Sequence, residues 1–420
     1  MRRRLLAVAT ALLATLAGSP PPALADITQS EIVSSNPVDW TPHVLDGTVW
    51  SLAVVGDTVI VGGAFTKVAD SSRRTTLARK NIFAFDLHDG SIRSFAPEVD
   101  GAIYSLAPGA DGTVYAGGAF KTVNGAAQRG ITRLWLSSGN RDTSFRAKVN
   151  WGDVRALATR GDRLYAGGTF SAISGTNRVA LARMDAETGA VDTGFDAKLS
   201  GPGLSRVRVE HFDITADGRR LVAVGAFLKA DGYDRVQIAQ FDVGGSSAQL
   251  SGWYTRDYEP QCMKGFDTYL RQVKYSPDGS YFVVAATGRA SSAQKLCDSA
   301  ARFETSRTGE QRPTWVQRTG GDSLYAVAIT GPAVYLGGHQ RWFDNPYGTD
   351  GNGPGPGAVS RPGIGAVSPS TGKALSWNPT RARGVGVRAF LTLPQGLLVG
   401  SDTDELGKEY HGRIGLFPLS

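Results

Sequence analysis

One motif returns at a regular spacing along this chain, and it restricts the fold more than any other feature. Trp50-Ser51-Leu52-Ala53 leads to Val61-Gly62-Gly63-Ala64-Phe65, Tyr104-Ser105-Leu106-Ala107 to Ala116-Gly117-Gly118-Ala119-Phe120, and Arg155-Ala156-Leu157-Ala158 to Ala166-Gly167-Gly168-Thr169-Phe170. Each copy continues through a loop into an alternating segment such as Leu181-Ala182-Arg183-Met184-Asp185, a turn such as Glu187-Thr188-Gly189, and a segment ending in an aromatic. Period-two alternation between glycine-marked turns gives four short strands per unit. Weaker copies at Val224-Gly225-Ala226-Phe227, Val284-Ala285-Ala286-Thr287, Tyr335-Leu336-Gly337-Gly338 and Val399-Gly400 bring the units to seven. A period of roughly 50 to 60 residues suits four-stranded propeller blades and is too long for leucine-rich or ankyrin units. The prediction is an all-β chain folded as a seven-bladed β-propeller. Two packed β-sandwiches would not need the same motif at one place in every unit.

The aromatic of the fourth strand recurs as Phe95, Phe145, Phe195, Trp253, Trp315 and Trp377, but the seventh unit ends at Ser420 before reaching one. Trp40 is available to supply it. Val38 to Leu45 is therefore expected to be the outer strand of the last blade, beside Arg413 to Leu419, removing an open sheet edge. This divides the chain into a leader (1–25), a linker (26–37) and the propeller (38–420). The paired glycines read as structural, since a strand ending near a crowded interior needs close backbone approach or a bulge, and the Phe two residues on can fill the wedge between blades.

At these residues the chain resembles the delta-60 repeat β-propeller proteins, a family of secreted bacterial proteins that is also kelch-like in its paired glycines. The resemblance spans roughly residues 38 to 420 and is most specific at Gly337-Gly338-His339-Gln340-Arg341-Trp342, Arg361-Pro362-Gly363-Ile364-Gly365, Ser376-Trp377-Asn378-Pro379, Gly400-Ser401-Asp402-Thr403-Asp404 and Tyr410-His411-Gly412-Arg413. It implies fold and export, and it carries over no catalytic residue.

Export is also read from the N-terminus. Arg2, Arg3 and Arg4 precede an apolar stretch from Leu5 to Leu16 and then Ala23-Leu24-Ala25, whose small residues suit signal peptidase, so cleavage before Asp26 is expected. The apolar run is too short to span a bilayer, and no later segment is free of charge or turn residues for about 20 positions. Removing those three arginines lowers the formal net charge from +7 to +4. With no basic run interleaved with aromatics, this balance argues against a nucleic-acid binder. Outside the cytoplasm, Cys262 and Cys297 are expected to form a disulfide, and both should lie on the top face, the one onto which the loops between second and third strands open.

That face also gathers the candidate site. The long insertion from Arg341 to Arg361 is the second-to-third loop of the sixth unit, Asp402-Thr403-Asp404-Glu405 opens the same loop in the seventh, and Arg381 and Arg383 lie in the link between them. His339, Gln340, Arg341, Trp342, Arg381, Arg383, Asp402 and Asp404 should converge there, offering guanidinium forks, an aromatic face and carboxylates to an anionic or carbohydrate ligand. The structural counterpart is that the arginines pair with Asp402 and Asp404 and tie the last two blades together.

Other motifs carry less. Gly321-Asp322-Ser323-Leu324 spells an esterase nucleophile signature, but it enters an alternating strand and no Asp-x-x-His follows. The five histidines lack zinc-site spacing. Asp402, Asp404 and Glu405, or Asp344, Asn345, Asp350 and Asn352, offer oxygen ligands to calcium without a hand-type loop, so no cofactor is expected and calcium is the one ion to consider.

Two functions follow from different classes. One is a secreted, monomeric binding or scaffold module for an extracellular polysaccharide or a cell-surface protein, with no nucleic acid and no membrane span. The other is a glycan-active hydrolase or lyase in which Asp402 or Asp404 acts with His339 or an arginine.

Overall fold

The computed structural model describes residues 27–289, 295–348, 353–380, 382 and 384–419, and every regular element among them is a strand. Antiparallel sheets follow one another along the chain, each built from one repeat unit. Their first strands are Thr48–Val55, Ile103–Pro108, Val154–Arg160, Arg208–Ile214, Leu270–Tyr275, Leu324–Ile329 and Ala389–Leu393. In each sheet the second strand lies between the first and third, as Arg163–Gly168 does between Val154–Arg160 and Leu181–Asp185. A fourth segment closes the outer side. It is a strand at Gln249–Leu250 and Trp315–Arg318, and a single bridge at Phe85–Ile92, Leu134–Arg141, Met184–Val191 and Val367–Ala374.

Each first strand lies beside the first strand of the next sheet, and Ala389–Leu393 lies beside Thr48–Val55. These inner strands have no ladder partner on one side, so side chains meet their free N–H groups. Ser105 Oγ accepts from Leu157 N at 2.9 Å, Asp213 Oδ2 from Tyr275 N at 2.8 Å, and Gln272 Oε1 from Val327 N at 2.5 Å. Further out, third-strand side chains reach the carbonyls of the next sheet's outer turn. Arg183, only 1% exposed, donates to Val243 O, Gly245 O and Ser246 O, while Arg302 donates to Pro369 O and Gln240 to Thr305 O.

The paired glycines explain how the sheets come so close. A Cβ on the first glycine would strike the neighbouring sheet: Gly62 meets Ile103 Cγ2 at 2.6 Å, Gly117 meets Val154 Cγ1 at 2.6 Å, and Gly337 meets Val387 Cβ at 2.6 Å. A Cβ on the second would drive into a backbone carbonyl at the start of its own first strand or one residue before it, Thr48 for Gly63, Ala102 for Gly118 and Asp153 for Gly168. At that contact the ladder slips by one residue, so the second glycine makes room for a β-bulge. The following Phe65, Phe120, Phe170 and Phe227 are buried in the wedges between sheets. In the fifth sheet this place falls to Gly288, and the Cys262–Cys297 disulfide fills it, with Cα atoms 5.7 Å apart and both Cβ atoms 2.8 Å from where a Gly288 Cβ would stand.

The N-terminal segment lies along the last sheet. Ser34 N donates to Pro418 O at 2.7 Å and Val38 N to Leu416 O at 2.9 Å, whereas His43–Val44 pairs instead with Lys67–Ala69, a hairpin above the first sheet. Trp40 packs into the cluster that holds Val49, Phe85, Leu398 and Leu416. Gly412 N donates to His43 Nδ1 at 3.0 Å, and His411 is buried beside it.

Gly168→Ala tests the glycine argument. The added methyl meets the Asp153 carbonyl, a backbone atom that cannot swing aside, so a loss of about 2–3 kcal/mol is expected in denaturant unfolding. Gly161→Ala, at a turn with open space around it, should lose about 1 kcal/mol or less for its positive φ.

Candidate functional site

The bulges have a second effect. Six first strands carry one, and the residues left unpaired are Trp50, Tyr104, Arg155, Glu210, Arg271 and Tyr325. Arg388 holds the same place ahead of Ala389–Leu393, its N–H bonded to Gly400 O. All of them line one cavity of about 520 Å³ among the inner strands. Because a first strand starts where a second strand ends, they sit at the end of the cavity onto which the second-to-third loops open.

These side chains touch in sequence around the mouth. The Arg388 guanidinium lies 3.8 Å from the Tyr325 ring centre and 4.9 Å from that of Trp50, and Trp50 meets Tyr104 edge to face at 5.7 Å. Arg155 lies 5.5 Å from the Tyr104 ring centre and pairs with Glu210 at 3.3 Å, and Arg208 pairs with the other Glu210 oxygen at 2.6 Å. Arg271 hydrogen-bonds to the Thr268 and Leu270 carbonyls. Neither Arg271 nor Arg388 has a carboxylate within ion-pair distance among the described residues.

Four arginines, Arg155, Arg208, Arg271 and Arg388, stand around the cavity with Glu210, and Arg208 also reaches Asp267 at 3.5 Å. Burial works against ionisation of Glu210, but Arg155, Arg208 and Arg271 outweigh it and hold its pKa below the usual carboxylate value. Burial lowers the pKa of Arg271 against the pull of Glu210 and Tyr325, and burial lowers that of Arg388 against Tyr325 and Asp402; both remain cationic. Deeper in, Asp213 takes Lys274 at 3.1 Å, and burial beside Lys274 pushes His211 down to about 4.

The sequence-predicted sector abuts this collar. His339 Nδ1 donates to Gly384 O at 2.5 Å, Asp402 accepts from Val385 N at 2.5 Å and Gly386 N at 3.0 Å, and Gly386 packs so closely on Tyr325 that a Cβ would lie 2.7 Å from its ring. Arg341 makes its ion pair with buried Asp322 at 2.8 Å and stacks on Trp342 at 4.6 Å. The Gln340 side chain is fully buried in the wedge position held elsewhere by phenylalanine, its amide without a partner. Asp404 is exposed and contributes its carbonyl to His411 N. Arg381 and Arg383 lie outside the described residues, as do Asp350 and Asn352.

Ser323 is bonded to Thr287 and to Asp298. The Asp344 and Asn345 oxygens accept from Gln317, Ala374 and Gly355, and among the described residues no three His, Cys, Asp or Glu side chains are grouped to hold a metal ion. No described helix is long and apolar enough to cross a membrane.

The collar itself was not among the sequence candidates. Its signal was present: Trp50, Tyr104 and Arg155 head otherwise near-constant Ser/Ala-Leu-Ala segments, a place that varies against a fixed frame.

The family model described as "Domain of unknown function (DUF5122) beta-propeller" matches residues 109–145 and 162–195. Among solved structures, the chain is similar to the WD40 repeats of RRP9 (TM-score 0.56, 13% identity, covering 92% of this chain and 99% of that one). It is also similar to the WD40 β-propeller domain of Doa1 (TM-score 0.53, 9% identity, covering 93% and 98%). The fold is a β-propeller. No curated protein matches the sequence. The likeness to WD40 propellers, at such low identity, concerns the fold alone, and the collar stands on the propeller's own residues.

Two measurements test these electrostatics. Glu210→Gln removes the carboxylate that Arg155 and Arg208 share, leaving Arg208 with Asp267 at 3.5 Å, and is expected to lower stability by about 2 kcal/mol in chemical denaturation. Burial lowers the pKa values of His43, His211 and His411 from 6.5, so the stability they contribute is present above about pH 6.5 and is lost as pH falls through the folded values. For His211 the full loss is about 3 kcal/mol, and His211→Gln should flatten the melting profile between pH 6.5 and 4.

Proposed function

We propose that this propeller is an exported binding and scaffold module that takes an extracellular glycan or protein ligand on its top face, at the mouth of the inner cavity. It has seven blades in this reading, and its N-terminal segment supplies the outer strand of the last one. The hydrogen bonds of Ser34 and Val38 to the final strand support that closure, as does the contact between the first and last inner strands. The Cys262–Cys297 disulfide is compatible with export.

One observation carries the binding reading. Side chains from every sheet, far apart in sequence, converge on one mouth, and the fold does not require their chemistry, because the bulge accepts Trp, Tyr, Arg or Glu alike. The rim sector of His339, Arg341, Trp342, Asp402 and Asp404 extends the same reading. A glycan hydrolase or lyase is less well supported. Hydrolysis wants two facing carboxylates, one of them protonated, whereas the collar holds Glu210 alone, and the arginines keep it ionised. Asp402 is already engaged by two backbone amides.

A polysaccharide and surface-protein array probed with the mature chain, read for retention and for reducing-end release, tests this. Retention without release is expected. Release of reducing ends would show an enzyme, and retention of nothing would remove the binding reading.

A further inference from the structure

Within the binding reading above, we infer that Arg271 and Arg388, with Trp50 and Tyr325, form a site for the terminal acidic sugar of a glycan, a uronate whose carboxylate supplies the charge that the collar lacks. The other arginines around the cavity mouth are engaged: Arg155 and Arg208 share Glu210. Arg271 and Arg388 have no carboxylate within ion-pair distance among the described residues: Arg271 bonds to carbonyls with Glu210 acting at longer range, and Arg388 lies against two rings with Asp402 farther off. A half-buried guanidinium with no carboxylate in contact is incompletely compensated, so two of them facing one cavity favour an anion brought from outside.

The geometry narrows the anion. Tyr325 and Trp50 lie against the Arg388 guanidinium, and its Nε is buried with no hydrogen-bond partner among the described residues. An in-plane fork can hold a carboxylate bidentately, and the neighbouring rings add a surface for the sugar that carries it. No lysine sits at the collar; Lys274 lies deeper and is held by Asp213. The aromatic wall beside the fork, Trp50 against Tyr104, offers an amphipathic surface to a sugar ring. A volume of about 520 Å³ falls in the range of small-ligand sites, and its recessed place favours a chain end over a chain interior.

Calorimetric titration of the mature protein with D-glucuronate, D-glucose, acetate and inorganic sulfate tests the assignment. Glucuronate should bind at least tenfold tighter than each of the others. Arg271→Gln and Arg388→Gln should each reduce that binding tenfold or more while leaving the melting temperature unchanged or higher, because an incompletely compensated charge is removed. Arg388→Lys, which keeps the charge and loses the fork, should fall between. Glucose binding as well as glucuronate, or acetate or sulfate matching it, would overturn the acidic-sugar site. So would an undiminished affinity in both glutamine variants, or a drop of several degrees in their melting temperature, which marks the arginines as structural. If the array retains a ligand whose binding survives both substitutions, this inference falls and the binding module stands; if the array retains nothing and glucuronate does not bind, both fall.

Discussion

The structure depends on the close approach between the end of each second strand and the two first strands beside it. Glycine at Gly62, Gly117 and Gly337 lets the neighbouring sheet reach van der Waals contact, and glycine at Gly63, Gly118 and Gly168 lets the chain's own first strand bulge. The two glycines thus fix both the spacing of the sheets and the slip of register within each. A methyl group at Gly62, Gly117 or Gly337 would meet the neighbouring sheet, whereas the fourth and fifth sheets accommodate Val224 and Ala285–Ala286 there and keep both the bulge and the inner-strand bonds. Departures from the motif show what the contact demands. The fifth sheet carries Ala285 and Ala286, lacks the wedge phenylalanine, and has the disulfide in that space instead.

The same bulge aims side chains, so fold and site share one device. A residue without a ladder partner turns out of the pleat, and repetition brings Trp50, Tyr104, Arg155, Glu210, Arg271, Tyr325 and Arg388 to one cavity. Residues just past the bulge, such as Ser105, Gln272 and Asp213, serve the neighbouring strand's N–H groups and are tied to the frame. Those at the bulge carry no such duty. This division lets the collar's chemistry vary without disturbing the scaffold, so that Arg271 and Arg388 can stand half-buried with no carboxylate in ion-pair contact among the described residues.

Several features were legible in the residues because they follow from local pattern. Period-two alternation, the recurring glycines and the late aromatics mark the sheets, and Phe95, Phe145, Phe195, Trp253, Trp315 and Trp377 are all buried. The cysteine pairing was also readable, since loop positions at one end of adjacent sheets bring Cys262 and Cys297 within reach. The rim residues take different partners. His339 and Asp402 do meet the segment around Gly384–Gly386, but Arg341 takes Asp322, a partner 19 residues back in its own unit. Charge and loop length do not say which carboxylate a flexible arginine will find, because the path of the backbone decides it.

Sequence therefore set the strand repeat, the places of closest packing and the residues that fill the wedges, all of which depend on period, size and the lack of a Cβ. Folding in three dimensions set which side chains face one another across the cavity. Register is a relation between strands, and a bulge that shifts it by one residue reverses the face on which a side chain emerges. Trp50, Tyr104 and Arg155 read along the chain as ordinary inner-strand residues. They become a collar once paired strands slip and adjacent sheets bring them within contact distance of one another.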